Sequence, residues 1–308
     1  MRSNPTQSEP TAHKGRETRG LVSANIATLF FGLAGLLGAL SGLPAPMITL
    51  GRVVFSGATL GAVALFSGVS LRPATRRDLA QLIGQGAILA LHWTAFFESI
   101  TLSNIAIGLL SFSCFPLFTA AFEPLLLKQR PRAIEIGAAL LILPGVYLLA
   151  PNLTLSDRAT QGVLWGMLAG ATFALLSVLS RGLTRRYAPL TISLYQDSAA
   201  AVVLLPTLAL TSWVAALNWR ALLCLLALGV ACTALAHTLF IASMRDIRAQ
   251  VASLIAALEP VWGILFALLF LGQIPSGRVL AGGALIVVAS AAPGLLMLRG
   301  RATRQAKE

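Results

Sequence analysis

The chain is a succession of apolar stretches of about twenty residues, parted by short breaks that hold the charged and turn-forming positions. Within the stretches no polar face alternates with the apolar one, so whole helices are apolar all round, as in a bilayer and unlike the surface of a soluble domain. A helix crossing the hydrocarbon core needs about 20 such residues. Cutting the 308 residues at the breaks predicts ten transmembrane helices, over 21–40, 46–69, 79–99, 103–126, 133–150, 161–180, 190–212, 219–242, 249–271 and 277–297. The expected fold class is an all-α polytopic membrane protein.

Composition agrees and narrows the field. Hydrophobic residues make up 56% of the chain and charged ones 11%, with a mean hydropathy of +0.81, against roughly 25% charged in a soluble domain. Cys114, Cys224 and Cys232 are odd in number and lack metal-ligand spacing, so neither a disulfide framework nor a zinc site is expected. The polar lead 1–20, with Arg2, Lys14, Arg16 and Arg19, is too long a charged segment for a cleaved signal peptide, and the first helix is expected to stay.

The net charge of +12 invites comparison with nucleic-acid binders, but the basic residues sit between apolar stretches and at the chain ends. They read as topology signals instead. In the ten-helix arrangement one side collects 19 of the 23 lysines and arginines: both ends of the chain, Arg72, Arg76 and Arg77, then Lys128, Arg130 and Arg132, then Arg181, Arg185 and Arg186, then Arg245 and Arg248. The other side holds Arg158, Arg220 and Arg278, and Arg52 falls inside the second span. Both termini are therefore expected in the cytoplasm, as the tails 1–20 and 298–308.

The chain also resembles itself. At an offset of 144 residues Ala90, Leu91, Thr94, Phe96 and Ser99 align with Ala234, Leu235, Thr238, Phe240 and Ser243. At the same offset Leu110, Pro116, Phe122, Leu125, Leu127, Gln129 and Pro131 align with Leu254, Pro260, Phe266, Leu269, Leu271, Gln273 and Pro275. The two halves, 21–150 and 161–297, then carry five spans each, and an odd number makes the second copy enter the membrane from the opposite side. Inverted repeats of this kind enclose a central cavity near the bilayer midplane. Pro116 and Pro260, mid-span and equivalent, are expected to kink the fourth and ninth helices and to act as paired hinges.

Leu258-Glu259-Pro260-Val261, Phe270-Leu271-Gly272 and Gly282-Gly283-Ala284-Leu285-Ile286 resemble the end of the second repeat in the drug/metabolite transporter superfamily, EamA type. Pro116, Glu123-Pro124-Leu125 and Gly137-Ala138-Ala139-Leu140-Leu141-Ile142 echo it in the first half, and Gly51-Arg52 resembles that family's leucine-arginine pair. The resemblance implies a ten-helix carrier of the bacterial inner membrane, similar to YddG-like exporters of aromatic and other amino acids.

Ionisable side chains inside a membrane are costly and usually face an interior cavity. Glu259, about ten residues into the ninth span, is read as an acid that binds a substrate ammonium or a proton, or as a structural acid at the Pro260 kink. His92 and His237 are near-equivalent, one position out of register, and stand as cavity candidates or satisfied core residues. The other cavity candidates are Trp93, Phe96, Ser111, Phe115, Trp165, Gln250, Ser253 and Trp262. Arg52 and Glu98 are expected to pair, as a structural ion pair or an external gate, and Asp197 to meet a cytoplasmic arginine. Ser113 is weighed as a packing serine, and Gly57 with Gly61 and Gly166 with Gly170 are assigned to close packing.

These readings converge on a secondary exporter of small amphipathic metabolites, amino acids above all, with the bilayer and the solute as its partners. With no G-x-x-x-x-G-K-[ST] sequence, the energy is expected from gradients and no cofactor is implied. An intramembrane enzyme using Glu259 and the histidines, and a passive channel, are the competing classes. H-E-x-x-H and G-x-S-x-G sequences are both missing.

Overall fold

The computed structural model describes residues 9–127, 133–149, 154–210, 217–247, 249–289 and 292. Among them every regular element is helical. In chain order these are α1 (Glu9–Ser41), α2 (Ala45–Ser67), α3 (Arg76–Leu102), α4 (Ile105–Phe112), α5 (Phe115–Leu127), α6 (Ala133–Leu149) and α7 (Arg158–Leu183). Then follow α8 (Pro189–Leu204), α9 (Thr207–Leu210), α10 (Trp219–Gly229), a π-turn (Val230–Leu235), α11 (Ala236–Asp246), α12 (Ala249–Ala256), α13 (Glu259–Leu271) and α14 (Gly277–Ala289).

Seven helical stretches among the described residues are long and apolar enough to cross a membrane, and three shorter apolar helices, Ile136–Leu149, Glu259–Leu271 and Gly277–Ala289, accompany them. Helix starts are marked locally. The side chains of Thr75, Asn104, Asp157 and Asn218 accept the N–H groups of Asp78, Ile107, Thr160 and Ala221, which the first turn would otherwise leave unpaired. Pro44 and Pro189 open α2 and α8, while Gly68 and Gly272, both at φ +63°, end α2 and α13 in the left-handed conformation that glycine adopts without strain.

Several expected spans are not continuous helices. The fourth breaks at Ser113-Cys114 into α4 and α5, and the ninth at Ala257-Leu258 into α12 and α13. The two breaks are 144 residues apart, and so are their hydrogen bonds. Cys114 N–H and Leu117 N–H donate to Ser111 and Cys114 carbonyls at 3.3 and 2.9 Å, and Leu258 N–H and Val261 N–H donate to Ile255 and Leu258 carbonyls at 3.0 Å each. Pro116 and Pro260 are each the second residue of the new helix, where a missing N–H costs nothing, so the chain begins a new helix where the sequence led to a kink within one span. The seventh span likewise divides at Leu205-Pro206 into α8 and α9, and α1 starts at Glu9, inside the polar lead.

The halves interlock. α2 packs on α10 and α8, and α8 in turn on α3 and α2; α1 lies against α11 and α13, while α7 lies against α3, α4 and α5. The outer surface is apolar: Leu65, Phe66, Leu125, Leu140, Val202, Leu269 and Phe270 are all exposed, Phe66 to 91%. Such a belt around an interior that holds the buried charges is the inverse of a water-soluble protein and suits a lipid solvent.

Gly166 and Gly170 do the packing expected of them, since a Cβ on either would collide with Ser111 or with the Phe112 carbonyl. Gly57 and Gly61 do not: beside Gly57 only Ser198 Oγ comes as near as 3.9 Å, and no atom approaches the Gly61 position within 4 Å.

Candidate functional site

A cavity lies between the halves. Phe31 of α1, Arg52 of α2, His92, Trp93 and Phe96 of α3 and Phe112 of α4 face it from the first half; Phe173, Ser177 and Ser180 of α7, Gln196 of α8, His237, Phe240 and Met244 of α11 and Glu259 of α13 face it from the second. Aromatic rings dominate. Phe112 touches His92, Phe96, Phe115 and Phe173 at centroid distances of 5.3 to 5.7 Å, and Phe173 reaches on to Phe240 at 5.9 Å.

Arg52 is the most demanding group here, because a guanidinium only 2% exposed must find donors' partners inside the protein. It does so on the π-turn. Nε donates to Thr233 Oγ1 at 2.9 Å and Nη2 to the Cys232 carbonyl at 3.3 Å, while the cation lies over the Trp93 ring at 4.0 Å and the Phe97 ring at 5.4 Å. A π-turn holds one residue more than the α-helix it replaces and leaves a carbonyl out of the ladder. The Leu228 carbonyl is taken up by the Thr233 hydroxyl at 2.7 Å.

The expected Arg52–Glu98 pair is not formed. Arg52 points across to the second half, and no N···O approach within 4.0 Å joins it to Glu98 or to any other carboxylate among the described residues. Asp197 also departs from expectation. It meets no arginine of the chain's basic end but accepts a hydrogen bond from Ser56, one turn along α2 from Arg52, and its Oδ1 has no hydrogen-bond partner.

The histidines both line the cavity yet are not equivalent. His92 Nδ1 lies 2.9 Å from the Ala169 carbonyl, which can only accept, so this nitrogen carries the proton. His237 stands edge-on to Trp93 at 5.7 Å, and its Nδ1 has no hydrogen-bond partner. Next to them Gln85 Oε1 accepts from Ser180 Oγ at 2.8 Å and from Gln196 Nε2 at 2.7 Å, a small amide network that the sequence did not single out.

Of the candidates named from sequence, His92, Trp93, Phe96, His237 and Glu259 share the cavity. Phe115 lies behind it, against Phe112 and Phe173. Ser111 and Ser113 spend their hydroxyls on carbonyls of their own helix, Ile107 and Leu109, as packing serines do. Trp165 packs beside the main core and Trp262 is 37% exposed, stacked on Phe266, so neither tryptophan lines the space. The side chains of Gln250 and Ser253 lie outside the described residues.

The sequence of the EamA-like transporter family matches residues 18–150 and again 160–292, so each half carries one copy of the same domain. The chain belongs to the EamA-like transporter family. EamA-like relatives include the uncharacterized transporter YwfM of Bacillus subtilis, 27% identical over 280 residues that span 87% of this chain and 92% of the relative. The pseudopaline exporter CntI of Pseudomonas aeruginosa is 27% identical over 248 residues, 77% of this chain and 84% of its own. A crystal structure of a protein at 22% identity covers 90% of this chain and 96% of its own with a TM-score of 0.68, which speaks for the fold. With this family, the apolar exterior and the interior cavity, the chain is a membrane transporter.

Proposed function

We propose that the protein is a secondary exporter of small amphipathic metabolites, amino acids first among them, that exposes one central cavity alternately to the two sides of the bacterial inner membrane. The observation that carries the reading is the cavity itself, whose wall takes residues from both halves, so that relative movement of the halves changes access to it. Ten helices in two inverted sets of five, with both termini cytoplasmic, follow from the repeat and from the basic residues of one side. Paired breaks before Pro116 and Pro260 are the hinges of this movement. Aromatic rings with a few polar groups suit a solute that has an apolar body and a polar end. Among relatives, one is named as an exporter of pseudopaline.

Counterflow in proteoliposomes tests the reading. Labelled L-phenylalanine should accumulate transiently against unlabelled phenylalanine inside, with saturable kinetics. Flux that never saturates would mean a channel, and chemical conversion of the solute would mean an enzyme. Tags at Met1 and Glu308 should be accessible from the same side.

A further inference from the structure

We propose that Arg52 anchors a carboxylate and Glu259 an ammonium of one and the same solute, so that the cavity selects zwitterions over amines and acids of equal shape. The proposal rests on the exporter reading and deepens it by naming the solute's charge pattern.

Three observations carry it. First, both charges face the same cavity, from opposite halves, and do not neutralise one another: no N···O approach within 4.0 Å joins them, and Glu259 takes no hydrogen bond among the described residues although it is 5% exposed. An ionic pair left open across a low-dielectric space is a receptor for the complementary pair.

Second, the guanidinium is held rather than free. Thr233 Oγ1 and the Cys232 carbonyl take Nε and Nη2, the cation lies over the Trp93 ring, and Nη1 donates to no group among the described residues. Holding the fork in one place lowers the entropy lost when a carboxylate docks on it. The phenylalanines on the same wall, Phe96, Phe112 and Phe173, offer an apolar surface to the remainder of the solute.

Third, these charges break the internal symmetry that the scaffold obeys. At the 144-residue offset Arg52 corresponds to Gln196 and Glu259 to Phe115. Breaks, prolines and interlocking glycines occur in both halves, because both halves must fold alike. A buried charge present in one half alone is not a requirement of that shared fold, and its desolvation cost calls for a different reason to exist.

The test is binding by the purified full-length protein in detergent. L-Phenylalanine is compared with phenethylamine, which lacks the carboxylate, and with 3-phenylpropionate, which lacks the ammonium. Each analogue should bind about tenfold to a hundredfold more weakly, the range for a lost hydrogen bond to a charged group. Glu259→Gln should weaken phenylalanine and leave 3-phenylpropionate unchanged. Arg52→Lys, which keeps the charge and loses the fork, should weaken phenylalanine and leave phenethylamine unchanged. Analogues binding within threefold of phenylalanine, variants that weaken all three ligands alike, or no phenylalanine binding by a folded protein would each overturn the proposal. Counterflow of a sugar or nucleoside in that event would leave the exporter reading standing, whereas saturable exchange of no solute would remove both.

Discussion

Gly86 and Gly229 occupy the same place in the two halves, each pressed against the backbone of the other half's second helix. A Cβ on Gly86 would lie 2.6 Å from the Gln196 carbonyl oxygen, and one on Gly229 would lie 2.8 Å from that of Arg52. Gln196 and Arg52 are 144 residues apart, but the glycines are separated by 143. The missing residue is found in the π-turn that follows Gly229, which therefore contains a one-residue insertion of the second half. Beyond the turn the offset is 144 again, so the counterpart of His92 is Ala236 and His237 lies one position past it.

Because both glycines abut backbone, Gly86→Ala and Gly229→Ala should each destabilise the protein by about 1–3 kcal/mol, the usual cost of overpacking. Thermal unfolding in detergent measures it. Gly84→Ala, where nothing lies within 4 Å of the added methyl group, is the control and should be neutral or slightly stabilising. Equal stability of all three variants would contradict the reciprocal packing.

Thr233 joins the inserted turn to the buried cation. Thr233→Val keeps the shape and removes both the acceptor for Arg52 Nε and the donor to the Leu228 carbonyl. Leaving a charged donor unsatisfied should cost about 1–3 kcal/mol, visible as a lower unfolding temperature. Cys224→Ala, in a helix beside it and outside the Arg52 network, should cost less. A Thr233→Val protein as stable as its parent would show that Arg52 does not depend on the turn.

The proline breaks are predicted to matter for movement more than for stability. Pro116→Ala and Pro260→Ala restore a backbone donor at the second position of α5 and α13. Solute binding should survive while turnover in proteoliposomes falls several-fold. Unchanged turnover in both variants would remove the hinges from the mechanism.

At the basic end of the bundle Tyr187 donates to Asp78 Oδ2 at 2.7 Å and accepts from the Ala74 N–H at 2.8 Å. Its hydrogen bond to Asp78 raises the phenol's pKa above the ordinary 10.0. A raised folded-state pKa stabilises below the unfolded value, and the contribution disappears as pH climbs through the folded one. Alkaline unfolding above about pH 10 should therefore be less steep in Tyr187→Phe, whose unfolding temperature at neutral pH should be lower. Identical pH profiles would mean that this phenol is uncoupled from folding.

Composition and local pattern were enough to read the apolar helical character, the lipid exterior, the duplication and a distortion at the two prolines, because bilayer solvation and a missing N–H act on a residue through its immediate neighbours in sequence. Glu259 and both histidines could be named for the same reason: an ionisable group in an apolar stretch is costly wherever its helix packs. The partners were another matter. Arg52 turns to Thr233, 181 positions away, and not to Glu98; Asp197 turns to Ser56; Trp262 faces outward while Phe31, Phe112 and Phe173 face in. Which face of an all-apolar helix turns inward leaves no periodic mark in its composition. Only the interlocking of the two halves, shifted by one inserted residue in a single turn, decides it.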